Sequence, residues 1–417
     1  MVQHISSDIA IIGAGVVGLA IAESLVAEGL EVILIDPNPP GSGASYGNAG
    51  TIADYAVLPV GTPSVLKNLP SLLFNRNSPL AIRPGALLSL APWLTRFARQ
   101  SLPSNAERNG RAIASLLSGA RDLWHDLAAR IGGLDLIEQQ GCLYLYETEK
   151  AFRAAETDMA HRRTFGVEVD LIGTRDLAHL EPGLPELPGA AYFPGASFLS
   201  DPGAMLQRLA QSALQYAGLL TASVETLTRQ FDGIILDGSS SGGAGFRIHA
   251  KRVILAAGAR SRPLARMAGD DVPLDTERGY HLEWEMEKPR LTRPACPTSR
   301  GFYLCPMTGR LRAAGTVELG GLTAPPSQHR LDRLLQGARA IFPDLPEPTS
   351  TWMGFRPSMP DSLPVIGPSS QGSEVIHAFG HGHIGLTLAP ITARIVTDLV
   401  QGRTPDLDIA PYRPGRF

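Results

Sequence analysis

Cysteine and charge are both scarce in this chain of 417 residues. The three cysteines, Cys142, Cys296 and Cys305, show no CxxC spacing, which argues against a disulfide framework or a zinc site and favours a reducing compartment. Charged residues make up 18% of the chain, and Lys+Arg 37 against Asp+Glu 40 leaves a net charge of −3. Nothing in this balance indicates a nucleic-acid partner.

Long hydrophobic runs are also missing. The most apolar window, Ile9 to Ala22, is shorter than the roughly 18–20 residues that a membrane-spanning helix needs. Asp8 and Gly13 interrupt the N-terminus before any apolar leader can form, so we expect a cytoplasmic protein. A length of 417 residues suits two or three domains, and a hydrophobic content of 44% excludes a disordered chain.

Glycine is abundant, and three glycine-rich stretches each follow an apolar, strand-like run. They end the segments Asp8–Gly18, Val253–Gly258 and Val375–Gly385. In the first, a strand at Asp8–Ile12, a helix from Val16 to Glu28 and a strand at Glu31–Ile35 predict a βαβ unit. Such a unit with a GxGxxG turn binds the pyrophosphate of a dinucleotide, either NAD or FAD.

The fold class predicted from these patterns is α/β. Helices are expected near residues 109–131, 149–165 and 201–216, a further strand near 219–227, and antiparallel strands near 141–146, 281–286 and 302–306. The nucleotide domain is then discontinuous, comprising 1–55, 196–270 and 350–417. Residues 56–195 and 271–349 form a second, substrate-binding domain.

Five further blocks carry a resemblance to a known family: Gly43–Gly50, Ala256–Ser261, Arg278–Tyr280, Gly354–Gly367 and Gly380–Leu386. With them the chain resembles the FAD-dependent D-amino acid oxidase/dehydrogenase family, most closely the bacterial D-amino acid dehydrogenases, nearly from end to end. The resemblance implies a Rossmann-type FAD domain interleaved with an α+β domain on a mostly antiparallel sheet, as in glycine oxidase. It also implies FAD as the cofactor.

The cofactor contacts expected from the motifs and the resemblance lie in seven regions. The residues are Gly13, Ala14, Gly15, Val16, Val17, Gly18, Asp36, Pro37, Ala44, Ser45, Asn48, Ala49, Gly50, Thr51, Val224, Ala257, Gly258, Gly354, Arg356, Gly380, His381, Gly382, His383, Ile384, Gly385, Leu386 and Thr387. Asp36 would bond a ribose hydroxyl. A helix starting at Leu386–Thr387 would aim its positive end at the flavin, which becomes negative on reduction.

Attachment of FAD is predicted to be noncovalent. Related sarcosine oxidases attach FAD through a cysteine near the block where this chain has Gly354. Val224 is expected beside adenine, although an ordinary core valine fits nearly as well.

The predicted catalytic residues are Arg356, Tyr280, Tyr303 and His383. In the resembling family the arginine of Gly-Phe-Arg-Pro grips an amino-acid carboxylate, a task that suits its planar, bidentate fork. A salt bridge to Asp361 is the structural alternative for Arg356, and core packing is the alternative for each tyrosine. His381 and His383 are interpreted as loop or flavin contacts, and no metal site is predicted because no further ligand is nearby.

The expected reaction is FAD-dependent oxidative deamination of a D-amino acid by hydride transfer from the α-carbon to flavin N5, giving an imino or oxo acid. D-proline and hydroxy-D-proline types are candidates. A glycine- or sarcosine-type amine oxidase, an NAD-linked dehydrogenase and a protein that binds flavin without turnover remain alternatives. Electrons would pass to oxygen or to a quinone-linked chain.

The segment 56–103 is basic, with Lys67, Arg76, Arg83, Arg96 and Arg99 and no acidic residue. Short helices that cover the active site would explain it. Peripheral docking on the inner face of an anionic membrane is the second hypothesis, because each basic residue near such a surface is worth about 1 kcal/mol.

Overall fold

A computed structural model describes residues 2–67 and 80–417 of the chain. Part of the predicted basic segment, including Arg76, lies outside these residues. The described strands are numbered β1 to β20 and the helices α1 to α10 in chain order.

The first sheet contains eight of the described strands, in the order β10-β2-β1-β13-β12-β11 with β20 and β19 beyond β13. They are β1 Gln3–Ile12, β2 Val32–Ile35, β10 Gly218–Leu220, β11 Ala222–Gln230, β12 Gly233–Ser240, β13 Gly245–Leu255, β19 Val365–Ser369 and β20 Gly372–Phe379. The pairs β10-β2, β2-β1, β1-β13 and β13-β20 are parallel. The strands before all three glycine stretches therefore lie side by side, with their carboxyl ends at one edge.

Nine described strands form the second sheet, which is mostly antiparallel. They are β4 Leu80–Ile82, β6 Cys142–Tyr146, β7 Asp170–Gly173, β8 Gly189–Phe193, β14 Asp275–Glu285, β15 Ala295–Pro297, β16 Phe302–Met307, β17 Arg310–Leu319 and β18 Ser350–Ser358. A small third sheet joins β3 Thr51–Ile52, β9 Ser197–Leu199 and β5 Ile137–Glu138. This mixed architecture confirms the predicted fold class.

Helices cover both sheets. They are α1 Val16–Ala27, α2 Leu87–Gln100, α3 Pro103–Leu117, α4 Ala120–Arg130, α5 Glu149–Thr164, α6 Thr174–Leu180, α7 Pro202–Leu214, α8 Ser261–Met267, α9 Gln328–Ile341 and α10 Gly385–Val400. Side chains of β1 alternate between two cores: Ile9 and Ile11 pack with α1 and α10, whereas Ala10 and Ile12 pack on the α8 side. A third core lies between the second sheet and α9.

Local signals set several element boundaries. Helix α1 ends before Gly29, whose φ of 78° lies in the left-handed region that favours glycine. Asp201 caps α7, as its carboxylate accepts a hydrogen bond from the Ala204 backbone N–H at 3.0 Å.

Three expectations differ from the structure. The helix expected over 109–131 is divided into α3 and α4, because Gly119 adopts a φ of 76° between them. The strand expected near 219–227 is two strands, β10 and β11. The predicted domain boundary at 350 falls before β18, which pairs with β14 and therefore belongs to the second sheet.

Candidate active site

The first glycine turn allows no side chain at two of its three glycines. A Cβ added to Gly13, whose φ is 110°, would overlap the carbonyl oxygen of Ala256. One added to Gly18 would overlap the carbonyl oxygen of Gly13, so α1 packs against the turn itself. Gly15 leaves more room, with the Ser45 Oγ at 3.3 Å from an added Cβ. Gly13 and Gly18 therefore allow the turn, α1 and Ala256 to pack closely, whereas the partly exposed Gly15 leaves its backbone open to close approach by a ligand.

Asp36 and Ser45 hold the turn. The backbone N–H of Ala14 donates to Asp36 Oδ2 at 2.9 Å, and that of Val16 donates to Ser45 Oγ at 2.9 Å. The N–H of Ala222 donates to the Asp36 carbonyl at 3.2 Å, which places the start of β11, and Val224 two residues on, beside this edge. Asp36 is thus positioned between the turn and the strand predicted to contact adenine.

The loop from Ala44 to Thr51 folds on itself. The Asn48 side-chain amide donates to the Ser45 carbonyl, and Asn48 Oδ1 accepts from the Gly50 N–H at 2.6 Å. Gly50 has a φ of 72°, and a Cβ there would lie 2.8 Å from the Leu199 carbonyl oxygen. Asn48 therefore braces the loop with its side chain.

Side chains of the second sheet fix the same loop, which the sequence analysis did not anticipate. Arg312 donates to the carbonyls of Tyr46 and Asn48 at 3.0 and 2.7 Å. The His281 Nδ1–H donates to the Gly47 carbonyl at 3.2 Å. Glu283 lies 2.8 Å from the Arg312 Nη2; burial alone would raise its pKa, but the neighbouring arginines lower it to about 2.

The third glycine stretch leads into α10. Gly380 has a φ of 84°, and a Cβ added there would lie only 2.9 Å from the Met359 Cγ. The Gly382 N–H donates to the Pro357 carbonyl at 2.7 Å, so this loop is tied to the end of β18. Around Gly382, whose φ is 56°, no described atom lies within 4 Å of an added Cβ. The Thr387 Oγ1 accepts from the Ala53 N–H at 2.9 Å.

Among the described side chains, none caps the N-terminus of α10, where Ile384 stands before Gly385. The N–H groups of its first turn and its positive dipole end are therefore available to an anionic group. Within the described chain, α1 likewise has no capping side chain on its N-cap residue, Gly15, although its Val16 N–H already donates to Ser45 Oγ. Two uncapped helix ends and glycine turns that exclude side chains form a cradle that suits a dinucleotide with a ring that gains negative charge.

Arg356 lies on β18, in the register directly opposite Glu277 of β14. Its Nη1 donates to the Thr316 carbonyl at 2.9 Å, and its guanidinium crosses Gly279, where an added Cβ would overlap it. Thr316 has a φ of 58°, unusual for a β-branched residue, in a bulge of β17. This local strain directs its carbonyl toward Arg356.

The predicted alternative for Arg356, a salt bridge to Asp361, does not form. Asp361 pairs with Arg416 instead, at 2.8 Å between Oδ2 and Nε. Within residues 2–67 and 80–417, no carboxylate oxygen lies within 4.0 Å of an Arg356 nitrogen. Burial lowers the pKa of Arg356, and the Glu277 charge opposes that effect. An arginine nevertheless stays charged in proteins.

The two predicted tyrosines lie on opposite faces of the second sheet. Tyr303 pairs with Ala314, which in turn pairs with His281, so Tyr303 shares the face of the loop-binding histidine. Its hydroxyl donates to the Tyr144 hydroxyl at 3.2 Å and lies 3.4 Å from that of Tyr55. Burial raises the pKa of Tyr303 well above its usual value, which keeps it protonated.

Tyr280 lies in the core with Leu282 and Trp284, on the far face from Gly279 and His281. Its hydroxyl donates to Glu318 Oε2 at 2.6 Å and accepts from the Ser327 N–H at 3.1 Å. The alternation of β14 therefore turns Tyr280 away from Arg356 and into the core, as its structural alternative predicted.

His383 faces a cavity that β14, β18 and α2 enclose. Enclosure by the surrounding protein and the Arg356 charge lower the pKa of His383 to about 4, although its ring is exposed to the cleft. His381 is buried, contacts Thr392 Oγ1 at 3.0 Å, and has a pKa lowered to about 3 by burial. In the described part of the chain, no group of three or more His, Cys, Asp and Glu residues could hold a metal ion.

The absence of a side chain at Gly354 makes room for the indole of Trp352, which an added Cβ would overlap. The same indole lies against Gly47 and stacks on His281, with ring centroids 5.1 Å apart. The 354 position therefore has no room for the side chain that a covalent flavin link would need. Ala257 and Gly258 lie beside the first glycine turn. Gly258 has a φ of 54°, and the space that an added Cβ would occupy is open.

Comparison with known proteins decides the family. The sequence matches the DAO family of FAD dependent oxidoreductases over residues 8–399. It is 36% identical over 423 residues to a D-amino-acid oxidase of Bradyrhizobium diazoefficiens, with 98% of each chain covered. The chain belongs to the DAO family.

Other relatives agree with this assignment. D-amino acid dehydrogenase 2 of Ralstonia nicotianae is 28% identical, with 98% of this chain and 100% of the relative covered. The crystal structure of glycine oxidase from Geobacillus kaustophilus superposes with a TM-score of 0.75 at 26% identity, covering 99% of each chain. As a DAO-family member, the protein is an oxidoreductase that uses FAD, and the NAD-linked alternative is set aside.

The sequence analysis missed Glu277, Arg312 and Thr316. A signal was present for Glu277, since polar residues and glycine at 277, 279, 281 and 283 alternate with bulky residues along β14. Such alternation indicates a strand with one face on a core and the other on a polar site. The roles of Arg312 and Thr316 depend on pairing register, for which the local sequence carries no signal.

Proposed function

We propose that this DAO-family enzyme catalyses the oxidative deamination of a D-amino acid, giving the imino acid and then the oxo acid. The observation that carries the proposal is Arg356, whose guanidinium is held beside the cleft without a carboxylate partner among the described residues. The names of two relatives, an oxidase and a dehydrogenase of D-amino acids, support it.

Arg356 is suited to bind the substrate carboxylate. One of its five N–H donors is used on the Thr316 carbonyl, which fixes the orientation of the guanidinium and leaves other donors for a ligand. Each charged hydrogen bond is worth about 1.5–3 kcal/mol. Tyr303 lies on the same face of the sheet and can supply a hydroxyl near the carboxylate.

When bound, FAD would supply the hydride acceptor, held by the cradle of the first turn, the Ala44–Thr51 loop and the start of α10. The protein holds the α-carbon in place through Arg356 and stabilises negative charge through the N-terminus of α10. Helix α2 covers the cavity through Phe97, and its Trp93 indole N–H donates to the Ser358 carbonyl at 3.4 Å, which holds the helix over the cavity and limits access of water.

Anaerobic spectroscopy tests the proposal. Purified enzyme is mixed with D-amino acids, D-proline, hydroxy-D-proline, glycine and sarcosine, and the oxidised flavin band is followed. We expect a D-amino acid to bleach the band, and Arg356→Lys to weaken apparent substrate affinity by about 10- to 100-fold through loss of one bidentate hydrogen bond. Arg290→Lys, which changes a surface pair with Asp344, is the matched control.

A band that bleaches equally in Arg356→Lys and in wild type would contradict the role of Arg356. A flavin that none of the amines bleaches would contradict the proposed reaction. Release of FAD by acid precipitation, which leaves the protein pellet colourless, is expected for noncovalent binding.

A glycine- or sarcosine-type amine is the second candidate substrate. The similarity to a glycine oxidase structure, at a TM-score of 0.75, favours it. The same panel separates the two, because only the second candidate predicts that glycine or sarcosine bleaches the band faster than any D-amino acid. D-proline and its hydroxylated forms test whether the cyclic imino acids are preferred.

The electron acceptor is proposed to be oxygen or a quinone-linked chain.

In residues 2–67 and 80–417, no helix has both the length and the apolar character to cross a membrane. Leu88 at the start of α2 is 89% exposed and Leu87 is 48% exposed, and Arg96 and Arg99 lie two to three turns further along the same helix. Peripheral docking through this helix predicts sedimentation with anionic vesicles at low salt; readmitted air tests oxygen as the acceptor.

A further inference from the structure

Glu277 is a buried acid that faces the same cleft as Arg356. The two residues are direct partners across the β14-β18 ladder, so their side chains project from the same face, with Cβ atoms about 4.5–5.5 Å apart in such pairs. Glu277 is 6% exposed. The Arg356 guanidinium turns aside toward Gly279 and Thr316, and no ion pair within 4.0 Å joins it to Glu277 in the described chain.

Glu277 lines a cavity with a polar and an apolar side. The other polar side chains that line it are Ser358, Ser362, His381 and His383. The apolar side consists of Ala56, Leu58, Val60, Phe97, Ile113, Met359 and Ile384. A carboxylate in these surroundings has few protein groups to neutralise it, so a cationic ligand group would find a partner there.

The positions of Arg356 and Glu277 match the charges of an amino acid. A zwitterionic substrate has its carboxylate and its ammonium group on one carbon, and a guanidinium beside a carboxylate is the complementary arrangement. We propose that Glu277 binds the substrate ammonium and accepts one of its protons, which makes Glu277 a further catalytic residue. The inference rests on the proposed function.

The proton transfer balances as follows. One N–H bond of the substrate ammonium breaks and an O–H bond forms on a Glu277 carboxylate oxygen. The nitrogen keeps the electron pair, which then assists departure of the α-hydride to FAD. Glu277 becomes neutral, which its burial favours, and later returns the proton to solvent.

Other titratable groups near the cavity are less suited to the task. His381 and His383 have pKa values lowered to about 3 and about 4, so they are weak bases. Asp275, two residues along the strand, already accepts from the Thr276 N–H at 2.7 Å. Burial raises the pKa of Glu277, and the Arg356 charge and the Ser358 hydroxyl oppose this only in part, which makes Glu277 a stronger base than an exposed carboxylate.

A binding experiment tests the ammonium contact without turnover. The FAD-loaded enzyme is titrated with 2-aminoisobutyrate, which has no α-hydrogen, and with isobutyrate, which lacks the amine, while the flavin spectrum reports binding. Wild type is expected to bind 2-aminoisobutyrate at least about tenfold more tightly, and Glu277→Gln to lose that preference. Isobutyrate affinity should change no more than about twofold.

Glu285→Gln, at the exposed end of the same strand, is the matched control and should keep the wild-type preference. Glu277→Asp, which keeps the charge, should show part of the wild-type preference for 2-aminoisobutyrate. An unchanged preference in Glu277→Gln, with normal FAD content, would overturn the proposal.

A pH profile tests the proton transfer. With an amino acid that reduces the wild-type flavin anaerobically, Glu277→Gln should be slower by about 10²- to 10⁴-fold at pH 7. Its rate should recover as pH rises and the free amine appears in solution. Flavin reduction rates that change with pH in the same way in wild type and Glu277→Gln would overturn the proposal. If no amino acid reduces wild type, the proposed function fails, whereas the binding experiment still reports the ammonium contact separately.

Discussion

Replacing Arg312 with methionine should loosen the flavin-binding loop from the second sheet. Arg312 is fully buried and donates to the carbonyls of Tyr46 and Asn48, while Glu283 lies 2.8 Å from it. Methionine keeps much of the apolar stem but none of the donors. Two carbonyls then lose a charged hydrogen bond, and Glu283 keeps only Arg310, at 2.8 Å, as an ion-pair partner in the described chain.

The magnitude follows from the burial of the pair. Removing one partner of a buried ion pair costs about 3–5 kcal/mol, and each charged hydrogen bond is worth about 1.5–3 kcal/mol within that sum. Since Arg310 still compensates part of the Glu283 charge, we expect the free energy of unfolding to fall by about 3 kcal/mol. FAD affinity should fall by about tenfold or more, because the loop that it contacts loses its anchor.

Urea denaturation of the FAD-loaded enzyme and fluorimetric FAD titration provide the measurements. Arg310→Met is the control, as Arg310 pairs with the same carboxylate but is 18% exposed and makes no hydrogen bond to the 44–51 loop. Arg310→Met should lower the free energy of unfolding by about 1 kcal/mol and leave the FAD affinity unchanged. Equal effects of the two substitutions on both measurements would refute the anchoring role of Arg312.

Two further predictions concern the substrate arginine and the pH dependence of stability. Gly279→Ala should displace the Arg356 guanidinium and raise the apparent substrate dissociation constant about 10- to 100-fold, with FAD affinity unchanged. The pKa of His381 is lowered to about 3 from an unfolded value near 6.5, so the unfolded chain binds the extra proton and stability is lost as pH falls below 6.5. Between pH 6.5 and 5 this loss should reach about 2 kcal/mol, and His381→Asn should abolish it in parallel urea titrations.

Each of these two has a control. Gly321→Ala, on a turn with open space for a Cβ, tests for a general effect of glycine replacement, although its φ of 67° will cost some stability. Unchanged substrate affinity in Gly279→Ala would contradict the prediction, because it would show that the Arg356 guanidinium can move without weakening substrate binding. A pH profile of His381→Asn that matches wild type would assign the acid sensitivity to other groups.

Sequence patterns were sufficient where the cause is local. The turn at Gly13–Gly18, the stop at Gly29 and the Asp201 cap each depend on a few adjacent residues, and all three are present in the structure. The fold class followed from the same signals together with the family resemblance. The break at Gly119 was missed because a single glycine within a helical pattern does not reveal its φ.

Sequence patterns were insufficient where the cause is strand register. Tyr280 and Tyr303 looked equivalent, as each is a tyrosine on an alternating strand. Only the pairing of β14, β16 and β17 shows that they lie on opposite faces of the second sheet, with Tyr303 on the face that carries His281. The same register brings Glu277 opposite Arg356, although 79 positions separate them along the chain (356 − 277).

The hydrogen bond between Ala53 and Thr387 joins residues that are 334 positions apart. Strand β1 likewise pairs with β13, and β13 with β20, so the first sheet closes only after residue 379 is available. During synthesis the N-terminal glycine turn must therefore wait for most of the chain before its cradle exists. We therefore expect capture of FAD to be late in folding, and contacts of such long range predict slow folding.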